Sequence, residues 1–209
     1  MILFTNNITS RLRYIADFFG KELGEEIILT ENRIEFTEYD GAAVNYSNER
    51  IRKTEMWMQP HLLLFEKGVT EQQIDCFDIQ GLRAFFRTGG DFPFDIFAAS
   101  FYLISRYEEW LPYKKDSYGR YAFENSIAWK EKFLDKPLVN YWLGLWTRNL
   151  TEIFPALNFE FTFRFIATYD IDEAYSFQHK SWWRSSGGAI KDLLKGKYAA
   201  TARLSGCED

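Results

Sequence analysis

The first helix that the hydrophobic pattern predicts lies near the start of the chain. Apolar residues recur there every three or four positions: Ile8, Leu12, Ile15, Phe19 and Leu23. This spacing places them on one face of an amphipathic helix. Gly24 follows directly, and glycine commonly ends a helix because it tolerates the left-handed backbone conformation. We therefore expect an amphipathic helix that ends at Gly24.

Two further helices are predicted later in the chain. The first covers about residues 92–110, with Pro93 in its first turn, a position where proline is well tolerated. The second starts near Pro137 and stops at Pro155, because proline cannot continue a helix from its interior. Both segments carry apolar residues at helical spacing, so both are expected to pack against a core.

Short β-rich runs predict strands among these helices. Residues 26–30 and 33–37 predict a hairpin. Further short strands are predicted at three places: residues 43–46, 62–65 and 84–87. Because helices and strands come in mixed order, we expect residues 1–158 to form an α/β or α+β domain with short strands and three main helices.

The pattern changes after residue 158. Phenylalanine and alanine alternate with other residues at 159, 161, 163, 165 and 167, which predicts a strand. Asp170 and Asp172 follow, and their spacing points both side chains to one side of an extended chain. Two close carboxylates favour a bound cation, with one as ligand and the other free for proton transfer. An acidic, solvated loop after the strand is the alternative.

Residues 165–172, Phe-Ile-Ala-Thr-Tyr-Asp-Ile-Asp, resemble the first motif of the polysaccharide deacetylase (NodB-homology) family. The resemblance implies that this segment opens the first strand of a deformed (β/α) barrel. It also implies that Asp170 is the general base that activates water and that Asp172 is a ligand of a divalent metal, commonly zinc. One residue separates the acids here, which matches a variant of the motif, whereas they are adjacent in its commonest form.

A second resemblance covers more of the chain. Residues 94–110 and 116–120 look like the uncharacterised N-terminal domain that precedes deacetylase barrels in Bacteroidetes-type proteins. The likeness spans residues 1–158 and implies no activity for that domain. We therefore expect an accessory domain over residues 1–158, followed over residues 159–209 by the beginning of a deacetylase-like barrel.

The departure from the deacetylase family concerns the metal site. The family completes that site with a His-x-x-x-His motif, whereas His61 and His179 are the two histidines of this sequence. We expect His61 at the edge of a strand and His179 on the surface; a zinc site of Asp172, His179 and a further ligand is the alternative. A closed barrel needs about 200 residues, so we expect a truncated member that binds no metal and is inactive alone.

Composition narrows the partners and the compartment. Net charge −5 and a pI of about 5.3 give no electrostatic footprint for nucleic acid or an anionic membrane. Two cysteines, Cys76 and Cys207, exclude a disulfide scaffold, and Cys76 is expected to be a small buried apolar residue. The hydrophobic pattern of the sequence predicts neither a signal peptide nor a membrane span. We expect a soluble cytoplasmic protein of unknown oligomeric state.

Three functions remain open. The first is a fragment of a metal-dependent polysaccharide de-N-acetylase. The second is a non-catalytic domain that binds a glycan or a protein through residues 1–158; aromatic residues make up 19% of the chain, and Tyr113, Tyr118, Arg120 and Tyr121 lie on a long polar loop. The third is a phosphotransferase of the haloacid dehalogenase type, in which Asp170 is the nucleophile and Asp172 the acid/base.

Overall fold

The computed structural model of the chain describes residues 1–159 and 165–169. The strands are β1 (Ile2–Thr5), β2 (Ile28–Thr30), β3 (Ala43–Tyr46), β4 (Met56–Met58), β5 (Phe77–Ile79) and β6 (Leu82–Ala84). The α-helices are α1 (Ser10–Leu23), α2 (Arg33–Glu38), α3 (Ile96–Ile104), α4 (Ile127–Lys130) and α5 (Leu138–Ile153). Short 3-10 helices occur at Leu62–Leu64, Tyr107–Trp110 and Phe123–Asn125.

A four-stranded parallel sheet lies at the centre of the fold. Its strand order is β2-β1-β3-β4, and β5 and β6 form a separate antiparallel pair. In the register of the sheet, Leu3 lies opposite Leu29 of β2 and Val44 of β3. All four residues of β1 and of β3 are buried, as expected for parallel strands that are covered on both faces.

The two faces of the sheet pack against different helices, because successive side chains of a strand point to opposite faces. Leu3 and Val44 belong to a large core that also takes in buried residues of α1, α3 and α5. Aromatic rings join these helices, with the ring centroid of Phe19 5.0 Å from that of Phe97 and 5.7 Å from that of Trp146. The opposite face forms a smaller core around Phe36 of α2.

The predicted helix near the start of the chain is confirmed. Thr9 accepts a hydrogen bond from the backbone N–H of Leu12 and so caps the first turn of α1. Gly24 ends the helix with φ 65°, in the left-handed region, as its position after the apolar stripe predicts. The predicted helix that starts near Pro137 is confirmed as α5, and the predicted strand 43–46 is confirmed as β3.

The predicted hairpin over residues 26–37 is wrong. Its first half contains β2, which pairs in parallel with β1, and its second half is the helix α2. Asn32 is the reason, because its side chain accepts hydrogen bonds from the backbone N–H groups of Ile34 and Glu35 and thereby starts a helix. Parallel pairing also requires a crossover connection, which α1 supplies between β1 and β2.

Three other predicted elements differ from the structure. Residues 62–65 were expected as a strand and contain a 3-10 helix, Leu62–Leu64. The strand expected at residues 84–87 ends at Ala84 as part of β6. The long helix expected over residues 92–110 is interrupted, because Asp95 caps α3 at its start and Arg106 takes a left-handed conformation with φ 53° after its end.

The chain divides into two units, Met1–Thr162 and Phe163–Asp209. The fold class of the first unit is mixed α/β, as expected. In the second unit residues 165–169 are exposed and belong to no helix or strand, so this described part of the strand predicted from Phe159 is not confirmed. Residues 160–164 and 170–209 lie outside the described residues, and a barrel is not among the elements described. Within the described residues no helix has the length and apolar character needed to span a membrane.

Candidate binding site

The carboxyl ends of the parallel strands are covered by the chain itself. In open parallel sheets ligands usually bind at this edge, where the strand order reverses, and here the reversal lies between β1 and β3. The hydroxyl of Thr9, after β1, donates to the carbonyl of Leu64 at 2.6 Å. The ring of Phe65 stacks on Tyr46, at the end of β3, with centroids 5.9 Å apart. The segment after β4 therefore occupies the usual ligand position.

Asp95 is a buried carboxylate that serves the fold. It accepts hydrogen bonds from the Tyr46 hydroxyl, from the His61 backbone N–H at 2.6 Å and from the Ala98 backbone N–H at 2.9 Å. Burial raises the pKa of Asp95 to about 6, although these hydrogen bonds oppose the rise. Because the side chain is fully buried and its donors belong to the fold, we assign it a structural role.

His61 is placed differently from the expectation of a strand edge. Its Nδ1 accepts a hydrogen bond from the Leu63 backbone N–H at 3.3 Å and so caps the 3-10 helix Leu62–Leu64. Burial lowers the pKa of His61, and its ring stacks on Phe86 with centroids 4.0 Å apart. These contacts account for His61 without a metal.

A cavity of about 390 Å³ lies elsewhere in the first unit. We call it the tyrosine cavity. It is lined by Tyr102 of α3, by Ile127 and Lys130 of α4, and by residues outside the α-helices: Glu71, Gln72, Ile74, Glu108, Leu111, Pro112, Tyr113, Tyr121, Asn125 and Glu131. Tyr102 and Ile127 are buried, whereas Glu71, Tyr113 and Lys130 are exposed. The cavity therefore has a buried part and an open, polar part.

Hydrogen bonds between the loops hold the walls of the tyrosine cavity. The Tyr107 hydroxyl accepts from the Thr70 backbone N–H at 3.0 Å and donates to the Thr70 carbonyl at 3.1 Å, which ties the segment before Glu71 to the 3-10 helix Tyr107–Trp110. The side chain of Asn125 accepts from the Lys114 N–H at 3.0 Å and donates to the Lys114 carbonyl at 2.8 Å. The position of each wall is thus set by paired polar contacts.

A tight turn positions Tyr121 on the cavity. Lys115 and Tyr121 form an isolated antiparallel bridge, and the Asp116 carboxylate between them accepts from the backbone N–H groups of Tyr118 and Arg120. The ring of Tyr121 lies edge-to-face with that of Tyr113, with centroids 5.1 Å apart. The loop after residue 111 is therefore ordered by its own hydrogen bonds where it borders the cavity.

The tyrosine cavity contains one buried tyrosine hydroxyl that has no hydrogen-bond partner in the described part of the chain. This is the hydroxyl of Tyr121. Tyr102, which is 4% exposed, also lines the cavity. Burial raises the pKa of Tyr102, and burial together with Glu108 and Glu109 raises that of Tyr121 to about 12. Both phenols therefore stay protonated near neutral pH and can donate hydrogen bonds.

Glutamates provide the acceptors of the cavity. Glu108 accepts from the Ile127 backbone N–H at 2.8 Å, and burial raises its pKa. Glu131 forms an ion pair with Arg83. Within residues 1–159 and 165–169 no group of three or more His, Cys, Asp or Glu side chains could hold a metal ion. The tyrosine cavity thus combines aromatic rings, phenol donors and separated carboxylate acceptors.

Some of the candidate residues predicted from the sequence line the tyrosine cavity, and others do not. Tyr113 and Tyr121 line the cavity, whereas Tyr118 is 80% exposed at the turn, with Arg120 over its ring. Cys76 is half-buried and not fully buried as expected, but it packs against the core. Burial raises its thiol pKa to about 11, which disfavours a reactive thiolate. Several candidates lie outside the described residues: Asp170, Asp172, His179 and Cys207.

The sequence analysis missed Tyr102 and the three glutamates of the cavity. They come from distant segments, with Glu71 and Glu131 60 positions apart, and none belongs to a recognisable motif. Tyr102 lies in the helix predicted over residues 92–110, where an aromatic residue is equally compatible with a core position. Spacing along the chain carries no signal for a site that distant loops assemble.

The fold and this site define a parallel α/β domain with a polar, tyrosine-lined cavity. A family model described as "Family of unknown function (DUF7033)" matches residues 1–155. The chain therefore belongs to this family. Curated proteins and solved structures give no significant match to the chain.

Proposed function

We propose that residues 1–158 form a carbohydrate-binding accessory domain and that the tyrosine cavity is its site. Its volume of about 390 Å³ falls within the usual range of small-molecule sites, about 300–1,000 Å³. Tyrosine offers an apolar ring for the faces of a sugar and a hydroxyl for its edges. Carboxylates accept hydrogen bonds from sugar hydroxyls, so the lining matches an uncharged or cationic polyol.

The observation that carries this proposal is the buried hydroxyl of Tyr121, which has no partner among the described residues. Buried polar groups nearly always have a hydrogen-bond partner, and each exception calls for an explanation. A sugar hydroxyl in the cavity would provide that partner for Tyr121. Leaving this buried hydroxyl unpaired costs free energy, and a ligand that pairs it recovers that free energy.

The test is a titration of the full chain with oligosaccharides, followed by calorimetry, for wild type and two tyrosine variants. Tyr121→Phe removes the hydroxyl from the cavity and is expected to weaken binding about tenfold, which corresponds to roughly 1.4 kcal/mol. Tyr118→Phe is the matched control, because Tyr118 lies on the same turn but is 80% exposed. Failure of every oligosaccharide to bind, or an equal loss in both variants, would contradict the proposal.

A second proposal concerns residues 159–209. We propose that they belong to a metal-dependent polysaccharide de-N-acetylase, with Asp170 as general base and Asp172 as a ligand of zinc or a similar divalent metal. The support is the resemblance of residues 165–172 to the first deacetylase motif, and the family match over residues 1–155 leaves this segment as a separate part. Both Asp170 and Asp172 lie outside the described residues.

The nucleotide sequence after codon 209 tests the deacetylase proposal. We expect it to encode a His-x-x-x-His segment in some frame, and we expect a chain extended through that segment to release acetate from N-acetylated oligosaccharides. Asp170→Asn in the extended chain should abolish acetate release, while Asp40→Asn, an exposed residue of the first unit, should not. A downstream sequence without the motif would end this proposal and leave the carbohydrate-binding proposal untouched.

A further inference from the structure

We propose that the tyrosine cavity selects sugar units that carry a free ammonium group over their N-acetylated or neutral counterparts. This inference rests on the proposed carbohydrate-binding function and names the ligand class for the same site. It is carried by the charges that line the cavity, by the position of Glu108 and by the distribution of the carboxylates.

The charges of the cavity do not cancel. Glu71, Glu108 and Glu131 line it together with Lys130. Glu131 is paired with Arg83, and Lys130 offsets one of the other two carboxylates. Glu109, next to the cavity, is paired with Arg106. One negative charge therefore remains, which suits a ligand with one positive charge on a ring.

Glu108 is the best placed of these carboxylates to receive a cation. It is partly buried, its Oε1 accepts the Ile127 N–H at 2.8 Å, and Oε2 makes no hydrogen bond to another described residue. Burial of a carboxylate is unfavourable, and the charge of Lys130 offsets this cost for Glu108 only in part, because burial still raises its pKa. An ammonium group that donates to Oε2 would relieve this cost and form a charge-assisted hydrogen bond, which is stronger than a neutral one.

Tyr102 and Tyr121 line the cavity together with Glu71 and Glu108. The charge of Glu108 contributes to the raised pKa of both Tyr102 and Tyr121, and the charge of Glu71 contributes to that of Tyr102. A ligand in the cavity therefore meets phenol donors and carboxylate acceptors together. Tyrosine rings also attract cations through the negative charge of their faces.

A bare metal ion fits this lining less well than an organic cation. A metal ion needs several ligand atoms around one point, and the part of the chain that the structure describes offers no cluster of three acidic, histidine or cysteine side chains for it. The carboxylates are instead distributed over the cavity wall. This distribution matches a ligand that spreads an ammonium group and hydroxyl groups over the size of a ring.

The experiment compares two tetrasaccharides, one of glucosamine and one of N-acetylglucosamine, by calorimetric titration of the full chain. We expect the glucosamine oligomer to bind at least tenfold more tightly and its affinity to fall with added salt, which screens the charge interaction. Binding of the N-acetylated oligomer should change little with salt. Spermidine, a cation without hydroxyls, should bind more weakly than the glucosamine oligomer.

Glutamine variants separate a specific site from general attraction to an acidic chain. Glu108→Gln keeps the oxygen that accepts the Ile127 N–H, and Glu71→Gln changes an exposed residue, so both should fold. Both are expected to reduce the preference for the glucosamine oligomer severalfold or more. Glu124→Gln, an exposed glutamate of the same loop, is the matched control and should keep the preference.

The outcomes distinguish the two levels of the proposal. Equal affinity for both tetrasaccharides would overturn the selectivity and leave carbohydrate binding intact. A preference that survives in Glu108→Gln and Glu71→Gln, or that is lost equally in Glu124→Gln, would also overturn it, as would spermidine binding as tightly as the sugar. Failure of both tetrasaccharides and of all neutral oligosaccharides to bind would instead reject the proposed function.

Discussion

The buried carboxylate of Asp95 joins three parts of the fold. These parts are the end of β3, the segment after β4 and the start of α3. Asp95→Ala leaves the Tyr46 hydroxyl and the backbone N–H groups of His61 and Ala98 without their acceptor. We expect it to lower the free energy of unfolding by about 2–4 kcal/mol. Urea denaturation measures the effect, with the exposed Asp40→Ala as control; a loss below about 1 kcal/mol would contradict the structural role.

The raised pKa of Asp95 predicts how stability changes with pH. Because the folded-state pKa of about 6 lies above the ordinary aspartate value of 3.8, the native state holds this proton more tightly than the unfolded state. The contribution is fully present below pH 3.8 and is lost as pH rises through about 6. The quantity to measure is the free energy of unfolding of the wild type minus that of Asp95→Ala, obtained by urea denaturation at several pH values. We expect this difference to decrease as the pH rises through this window. A difference that increases or stays constant would show that the pKa is not raised.

Tyr121 is the opposite case, a buried hydroxyl that no described residue satisfies. Tyr121→Phe should therefore change the free energy of unfolding by no more than about 0.5 kcal/mol, or raise it, because no hydrogen bond is lost. Thermal and urea unfolding of the unliganded chain measure this. A loss of more than about 1 kcal/mol would mean that the hydroxyl forms a hydrogen bond within the protein and does not need a ligand as its partner.

At the scale of elements, α1 depends on Thr9 at its first turn. The Thr9 hydroxyl oxygen accepts from the Leu12 N–H at 3.1 Å and donates to the Leu64 carbonyl at 2.6 Å. Thr9→Ala loses both contacts and should cost about 1–2 kcal/mol of unfolding free energy. Thr9→Ser keeps the hydroxyl and should cost much less, as urea denaturation can show. Equal losses in the two variants would assign the effect to the methyl group instead.

The elements also show where sequence patterns succeed and fail. The helices α1 and α5 were predictable because their apolar faces repeat over three or more turns. The segment 26–37 was misassigned because three residues of β2 and six of α2 are too short to establish a period. There the Asn32 cap and parallel pairing with β1 decided the structure.

At the scale of the whole molecule, the first unit carries both cores that the structure describes. Residues 1–158 expressed alone should therefore fold and unfold in one cooperative transition. Fluorescence of the buried Trp142 and Trp146, compared with far-ultraviolet circular dichroism during urea denaturation, tests this by coincidence of the two curves. Divergent curves, or a product without fixed tertiary packing, would contradict an independent domain.

The candidate site was only partly predictable at this scale. The long polar loop with Tyr113 and Tyr121 is visible in the sequence as a stretch without apolar periodicity. The partners of these residues, Tyr102, Glu71 and Glu108, come from other parts of the chain. Their convergence depends on the packing of α3 and on the hydrogen bonds between Thr70 and Tyr107.

The amino-acid sequence by itself determined the amphipathic helices and the mixed α/β class, since these depend on local periodicity and composition. Tertiary structure alone decided that β1 pairs in parallel with β2 and β3, that the segment after β4 covers the sheet edge, and that tyrosines and glutamates meet around one cavity. The physical reason is the separation of the interacting residues along the chain. Periodicity indicates which face of a helix or strand is buried, whereas strand pairing and cavities depend on contacts between residues far apart in the chain.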